Sequence, residues 1–290
     1  MIEVYVPATS ANCCVGFDCL GMAVDWWAHF TFEKNEVLEI EGCPEEYRGE
    51  DNLVVQAFYT MCDYLHVTYP TFKLTIDTDI PYARGLGSSS TCVVAGILAC
   101  DAWFQTHLNK MELLKVATHI EGHPDNVAPA IFSNATACFM DKEEVRMSLI
   151  PCAGYSCLAM IPRYEVKTSE ARKVLPKALA FQDCISQVSH ALAFSQALQQ
   201  GNEMILYHAC KDFLHEPYRK QLIREYDTIK EYCDAKKLPM WISGSGSTMM
   251  AVSLESNRLI ELADFITKEF EALDYKFLTI AKRGAFVKYE

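Results

Sequence analysis

The chain has 290 residues, half of them hydrophobic and 22% charged, with 26 Lys plus Arg against 38 Asp plus Glu. That length holds one large or two modest domains around a core that needs no staples, and the composition excludes disordered and collagen-like classes. A net charge of −12 is poorly suited to gathering nucleic acid or an anionic membrane, so an anionic ligand has to be held by a local device.

Residues 1–6 carry no basic region followed by a long apolar stretch. They read as a strand rather than a leader, which predicts a cytoplasmic protein. Apolar and polar residues alternate over 27–33, 37–41 and 72–77, the period of half-buried strands. A helix begins at Asn52, with Val54, Val55, Phe58 and Met61 on one face. Residues 88–103 are apolar on most sides and predict a buried helix. Its apolar run, 92–100, is far short of the ~20 residues that span a bilayer. Helices follow over 111–119 and onward from Asp125, then a strand over 155–161.

Beyond Pro162 the character changes. Residues 185–200 form an amphipathic helix stopped by Gly201. Two more helices are expected over 204–215 and 219–236. Pro239 precedes a strand, a Gly/Ser loop and a second strand (249–254). A helix (257–273) and a last strand (276–281) complete a β-α-β-β-α-β order that suits a split βαβ domain. The reading is an α+β protein divided near residue 150 into domains 1–150 and 151–290. No internal repeat is present. Thirteen scattered cysteines, an odd number without any C-x-x-C, read as reduced, buried small hydrophobes.

Four loops carry the chemistry. Pro81-Tyr82-Ala83-Arg84-Gly85-Leu86-Gly87-Ser88-Ser89-Ser90-Thr91 leads straight into the buried helix. Gly85 and Gly87 allow close backbone approach, and Ser88 to Ser90 bring donors to a helix N-terminus, which together make an anion cradle suited to a phosphate chain. It is not a Walker A loop, for no Gly-Lys-Ser/Thr follows. A plain Gly-rich turn with a serine cap fits the same letters. The second loop, Pro7-Ala8-Thr9-Ser10-Ala11-Asn12-Cys13-Cys14-Val15-Gly16-Phe17-Asp18, offers Asn12 and Asp18, or else an Asx turn. The third, Glu121-Gly122-His123-Pro124-Asp125-Asn126-Val127-Ala128-Pro129, offers carboxylates whose hard oxygens suit Mg²⁺, although Asp125 also reads as a helix cap. The fourth, Ser243-Gly244-Ser245-Gly246-Ser247-Thr248, reads as a ligand-contacting loop or a hairpin turn. A serine hydrolase is excluded by the lack of a G-x-S-x-G elbow.

Taken together and in this order, the loops resemble those of the GHMP kinase family, which phosphorylates small-molecule hydroxyls with ATP. Residues 7–18 look like its N-terminal motif, 81–90 like its P-x-x-x-G-L-G-S-S-S nucleotide motif, and 242–248 like its C-terminal glycine motif. Within the family, 7–12, 16–18 and 123–129 are most similar to members acting on L-homoserine. The resemblance implies a βαβ-type N-terminal domain with a left-handed crossover, a ferredoxin-like C-terminal domain and a site between them. It implies transfer of the γ-phosphoryl of MgATP to the side-chain hydroxyl of L-homoserine, in threonine biosynthesis, and possession of homodimers as a common state. Nucleotide contacts fall on Pro81, Arg84, Gly85, Leu86, Gly87, Ser88, Ser89 and Ser90, and Mg²⁺ on Ser88 and Glu121. Glu121, Asn126 and Asp18 would serve catalysis. Asn12, Asp18, His123, Asn126, Thr168, Arg172, Arg219, Gly244 and Ser245 would hold the substrate. Glu121 lies only five residues before Asn126, a shorter connector than in some such kinases. Threonine or mevalonate as the alcohol, or a non-catalytic ligand sensor, are the competing readings.

Overall fold

The computed structural model describes residues 1–142 and 144–289. Strand β1 (Ile2–Ala11) pairs antiparallel with β2 (Leu20–Lys34), with a register shift between Pro7 and Thr9. β3 (Glu39–Glu41) and β4 (Phe72–Asp77) are parallel, and helix α1 (Leu53–Leu65) is the crossover between them. The Asn52 side chain accepts from the Val54 N–H and caps α1. Helix α2 (Ser88–Phe104) is buried on nearly every side, since it packs on β1, α1, α3 (Lys110–Glu121) and α4 (Val127–Phe132). At Gly96 a Cβ would sit 2.3 Å from the Val54 carbonyl oxygen, so only glycine lets α1 and α2 approach this closely. A hairpin of β5 (Ala135–Asp141) and β6 (Glu144–Ile150) joins β2 through β5.

The second half opens with β7 (Ser156–Pro162). It continues through α5 (Thr168–Lys173), α6 (Phe181–Gln200), α7 (Glu203–Ala209), α8 (Glu216–Arg219) and α9 (Tyr226–Ala235). Then come β8 (Met240–Ile242), β9 (Met249–Ser253), α10 (Ser256–Glu269), β10 (Leu273–Thr279) and β11 (Phe286–Tyr289). β10-β7-β9-β8 form an antiparallel sheet of ferredoxin-like order. Alternation gives it two apolar faces. Leu158, Met160, Ile242 and Met249 pack on Ile229, Leu262 and Ile266, whereas Cys157, Ala159, Trp241 and Met250 join the main core with Phe194.

The chain end differs from expectation. β6 ends at Ile150 and the second sheet begins at Ser156, but β11 returns to pair with β1, so 286–289 belong with the first half. The hairpin β5–β6 has a weak signature because Phe139, Met140 and Leu149 are exposed and blur the alternation, and strand β11 and helix α5 are only four and six residues long. The helix expected over 204–215 stops at Ala209, because the Asp212 carboxylate takes the N–H groups of Leu214, His215 and Glu216 into a turn. The one expected over 219–236 is split into α8, a 3-10 turn (Lys220–Leu222) and α9. Among the described residues, all thirteen cysteines are unpaired, with only Cys19 and Cys184 exposed, and no helix is long and apolar enough to cross a membrane.

Candidate active site

A cleft of about 500 Å³ lies between the two halves. Asn12, Asp18, Gly85, Gly87, Ser88, Ser89, Ser90, Glu121, His123, Asn126, Thr168, Arg172, Arg219, Gly244 and Ser245 all line it. Residues scattered over more than two hundred positions of sequence thus meet in one place. The halves are joined just behind it: Trp241 Nε1 donates to Ser10 Oγ at 3.0 Å, Ser243 Oγ donates to the Gly85 carbonyl at 2.6 Å, and the Gly244 N–H donates to the Ala11 carbonyl at 3.0 Å.

At one end stands the N-terminus of α2. Gly87 precedes it at φ +69°, and no side chain caps the helix, so the first-turn N–H groups and the positive dipole end face the cleft. Gly87 is required by packing as well as by backbone conformation, since a Cβ there would lie 2.0 Å from Thr9 Oγ1. Glu121, the last residue of α3, reaches the same turn. Its carboxylate accepts from Ser90 Oγ at 3.0 Å and Ser89 Oγ at 3.2 Å. Thr9 Oγ1 donates to Asn126 Oδ1 at 2.7 Å and fixes that amide at the floor.

The other end is charged in both senses. Asp18, at φ +57°, is held by its own N–H on Asn12 Oδ1 (3.0 Å) and meets Arg172 of α5 through two hydrogen bonds of 2.9 and 3.0 Å. Arg219 is buried, donating to the Ala171 carbonyl at 3.2 Å and the Gly244 carbonyl at 3.1 Å; burial first, and Arg172 second, draw its guanidinium down to about 10. It stays charged at neutral pH. Both guanidiniums rest on the Phe17 ring, at 4.9 Å for Arg219 and 5.6 Å for Arg172. His123 bonds Asp125, which holds its imidazole above the ordinary value. Asp125 therefore does not cap α4 as its position in sequence led us to expect; that helix starts behind Asn126 with no side-chain cap.

Three residues expected at the nucleotide fall outside the cleft lining. Leu86 is buried and offers its carbonyl to the Thr9 N–H. Arg84 turns away to the Pro162 and Arg163 carbonyls and to Glu165, tying the loop to the end of β7. Pro81 begins the turn without reaching the cavity wall. Ser88 lines the cleft, but the hydroxyls on Glu121 are those of Ser89 and Ser90. Among the described residues, the group whose ligand atoms lie within 4.8 Å of one another is Asp18, His123 and Asp125. These are already committed to Arg172 and to each other. Thr9 and Phe17 carry no signal of their own in the sequence: one threonine in a strand and one aromatic in a turn have no signature until their partners are known.

Comparison with known proteins supplies the family. The patterns described as GHMP kinases N terminal domain and GHMP kinases C terminal match residues 52–134 and 190–272. A homoserine kinase of Clostridium botulinum (strain 657 / Type Ba4) is 41% identical, covering 99% of this chain and 98% of the relative, and one of Clostridium beijerinckii is 36% identical over 98% and 97%. The crystal structure of a homoserine kinase from Cytophaga hutchinsonii superposes with a TM-score of 0.87 at 25% identity, covering 99% and 97%. The chain belongs to the GHMP kinase family, on the branch of its homoserine kinases.

Proposed function

We infer that this chain transfers the γ-phosphoryl group of ATP to the side-chain hydroxyl of L-homoserine, giving O-phospho-L-homoserine, a step of threonine biosynthesis. The observation that carries the reading is one cleft with an uncapped helix N-terminus at one end and an Asp–Arg–Arg cluster at the other. The first suits a triphosphate. The second suits a zwitterion: guanidiniums grip a carboxylate with parallel hydrogen bonds, and Asp18 meets an ammonium. Mevalonate has no ammonium to offer.

Phosphoryl transfer demands positioning and charge stabilisation, with little covalent work by the protein. The first-turn N–H groups from Ser88 to Ser90 would carry the phosphates. Glu121, with the Ser89 and Ser90 hydroxyls, forms a set of hard oxygen donors that fits Mg²⁺, with Ser88 on the same turn. When bound, that ion neutralises charge on the triphosphate. Asn126, fixed by Thr9, and Asn12 would align polar groups near the reacting hydroxyl, with Thr168, His123, Gly244 and Ser245 completing the wall. Asp18 serves as ammonium partner rather than as base, since both its oxygens are already shared with a guanidinium. We take the chain to act in the cytoplasm. A second copy would dock on α6, where Phe181, Ile185, Val188 and Leu192 form an exposed apolar stripe. ADP release with L-homoserine, L-threonine and mevalonate tests the reading. Turnover led by homoserine supports it, and ATP binding without turnover of any of them would favour a ligand sensor.

A further inference from the structure

The loop between β1 and β2 that presents Asn12 and Asp18 contains four left-handed non-glycine residues, Asn12, Cys13, Cys14 and Asp18, with φ between +39° and +65°. L-residues hold such angles only where the surroundings over-determine them. Two side chains from the second half hold backbone carbonyls of this loop. Gln187 on α6 donates through Nε2 to the Val15 carbonyl at 2.6 Å, and His215 Nε2 donates to the Cys14 carbonyl at 2.7 Å.

Both are tied to one buried carboxylate. Asp212 Oδ1 accepts from Gln187 Nε2 at 2.8 Å, and Oδ2 accepts from the N–H groups of Leu214, His215 and Glu216 at 3.1, 2.6 and 2.8 Å. Gln187 Oε1 closes the ring by accepting from the Phe213 N–H at 2.8 Å. All three side chains are buried and none lines the cleft. The same turn is the entry to α8, which delivers Arg219. His215 also packs its ring on Phe17 at 5.3 Å, the ring on which both arginines rest. His215 Nδ1 is buried without a partner among the described residues, so the imidazole carries its hydrogen on Nε2, toward Cys14. Burial, the largest influence on this ring, also disfavours its charged form.

We propose that Gln187, Asp212 and His215 are positioning residues for the amino-acid end of the substrate. They lock the β1–β2 loop to the entry of α8, so that Asp18 and the two arginines converge before the substrate arrives. This rests on the homoserine reading and deepens it, because the knot holds the loop that bears Asp18 and the turn that leads to Arg219, and makes no hydrogen bond to the α2 turn.

Two variants at one position separate donor from ring. His215→Phe keeps an aromatic against Phe17 and removes the donor, while His215→Gln keeps a donor without the ring. Losing a buried hydrogen bond in this knot should raise KM for L-homoserine about tenfold in His215→Phe, with kcat and KM for ATP within about twofold of wild type. His215→Gln should recover most of the loss. Gln187→Met, which loses its hold on Val15 and Asp212, should repeat the effect, and it decides the matter should His215→Phe not fold. A merely structural knot would lower Tm and leave KM for homoserine unchanged, or raise both KM values alike, and either result would overturn the proposal. Wild-type protein that turned over no homoserine would remove the substrate reading and this inference together. Homoserine turnover with unchanged KM in both variants would remove only the inference.

Discussion

Asp18 and Arg172, 154 residues apart in sequence, meet through two parallel hydrogen bonds of 2.9 and 3.0 Å at the mouth of the cleft. Each is the counter-charge that a zwitterion would replace for the other. The pair is partly solvated, at 35% and 41% side-chain exposure, so it adds only about 0–1 kcal/mol to folding. Arg172→Ala should therefore leave Tm nearly unchanged while kcat/KM for L-homoserine falls roughly 30-fold or more, the loss of one partner of a desolvated charge pair in the complex. A change within a few-fold would move the carboxylate site elsewhere.

Glu121 accepts from two serine hydroxyls at the open end of α2. Glu121→Gln keeps the shape and removes the charge. Turnover should drop steeply, and the concentration of Mg²⁺ that half-saturates the rate should rise, with little change in Tm. A wild-type rate at limiting Mg²⁺ would shift attention to Asp18, His123 and Asp125, the other cluster of ligand atoms in the cleft.

Glu216 is buried behind the site, where its carboxylate accepts from the Ile242 N–H and from Tyr226. Burial pushes its carboxyl up to about 7 from an ordinary value of 4.5. The fold therefore favours the protonated form. This contribution is whole below about pH 4.5 and is lost as pH rises through about 7, a swing on the order of 3 kcal/mol. Urea unfolding at several pH values should show stability falling across that window in wild type, with a flatter profile in Glu216→Gln. Parallel profiles would mean that the carboxyl titrates alike in both states.

The stripe on α6 is spaced as one helical face, and Phe181 and Leu192 are 81% and 70% exposed. Leu192→Glu should convert a dimer to a monomer in sedimentation equilibrium and leave the fold intact. A wild-type monomer would contradict the second-copy reading.

Sequence exposed what depends on local chemistry. Glycines and serines at the mouth of an apolar run mark an anion cradle because both turn and helix are adjacent in the chain, and Gly201 stops α6 because a left-handed residue is needed there (φ +71°). It did not expose what depends on distant partners. Arg84 sits inside the nucleotide motif, yet its guanidinium serves the end of β7. Thr9 gains meaning only from Asn126, 117 residues away, and Gln187 only from Val15, 172 residues away. The return of β11 to β1 was hidden in the same way, since four residues, two half-buried and two exposed, become a strand through the edge they meet.

The charged end of the cleft is expected to select a zwitterionic alcohol. The measurement is kcat/KM of the wild-type enzyme for L-homoserine against that for 4-hydroxybutanoate, which lacks the ammonium, and 3-amino-1-propanol, which lacks the carboxylate. With Asp18 facing Arg172 and Arg219, each truncation leaves one side of the cluster unpaired and should cost roughly 30-fold or more. If either truncated alcohol were phosphorylated as efficiently as homoserine, the charged cluster would not be reading the substrate, and the account would be contradicted.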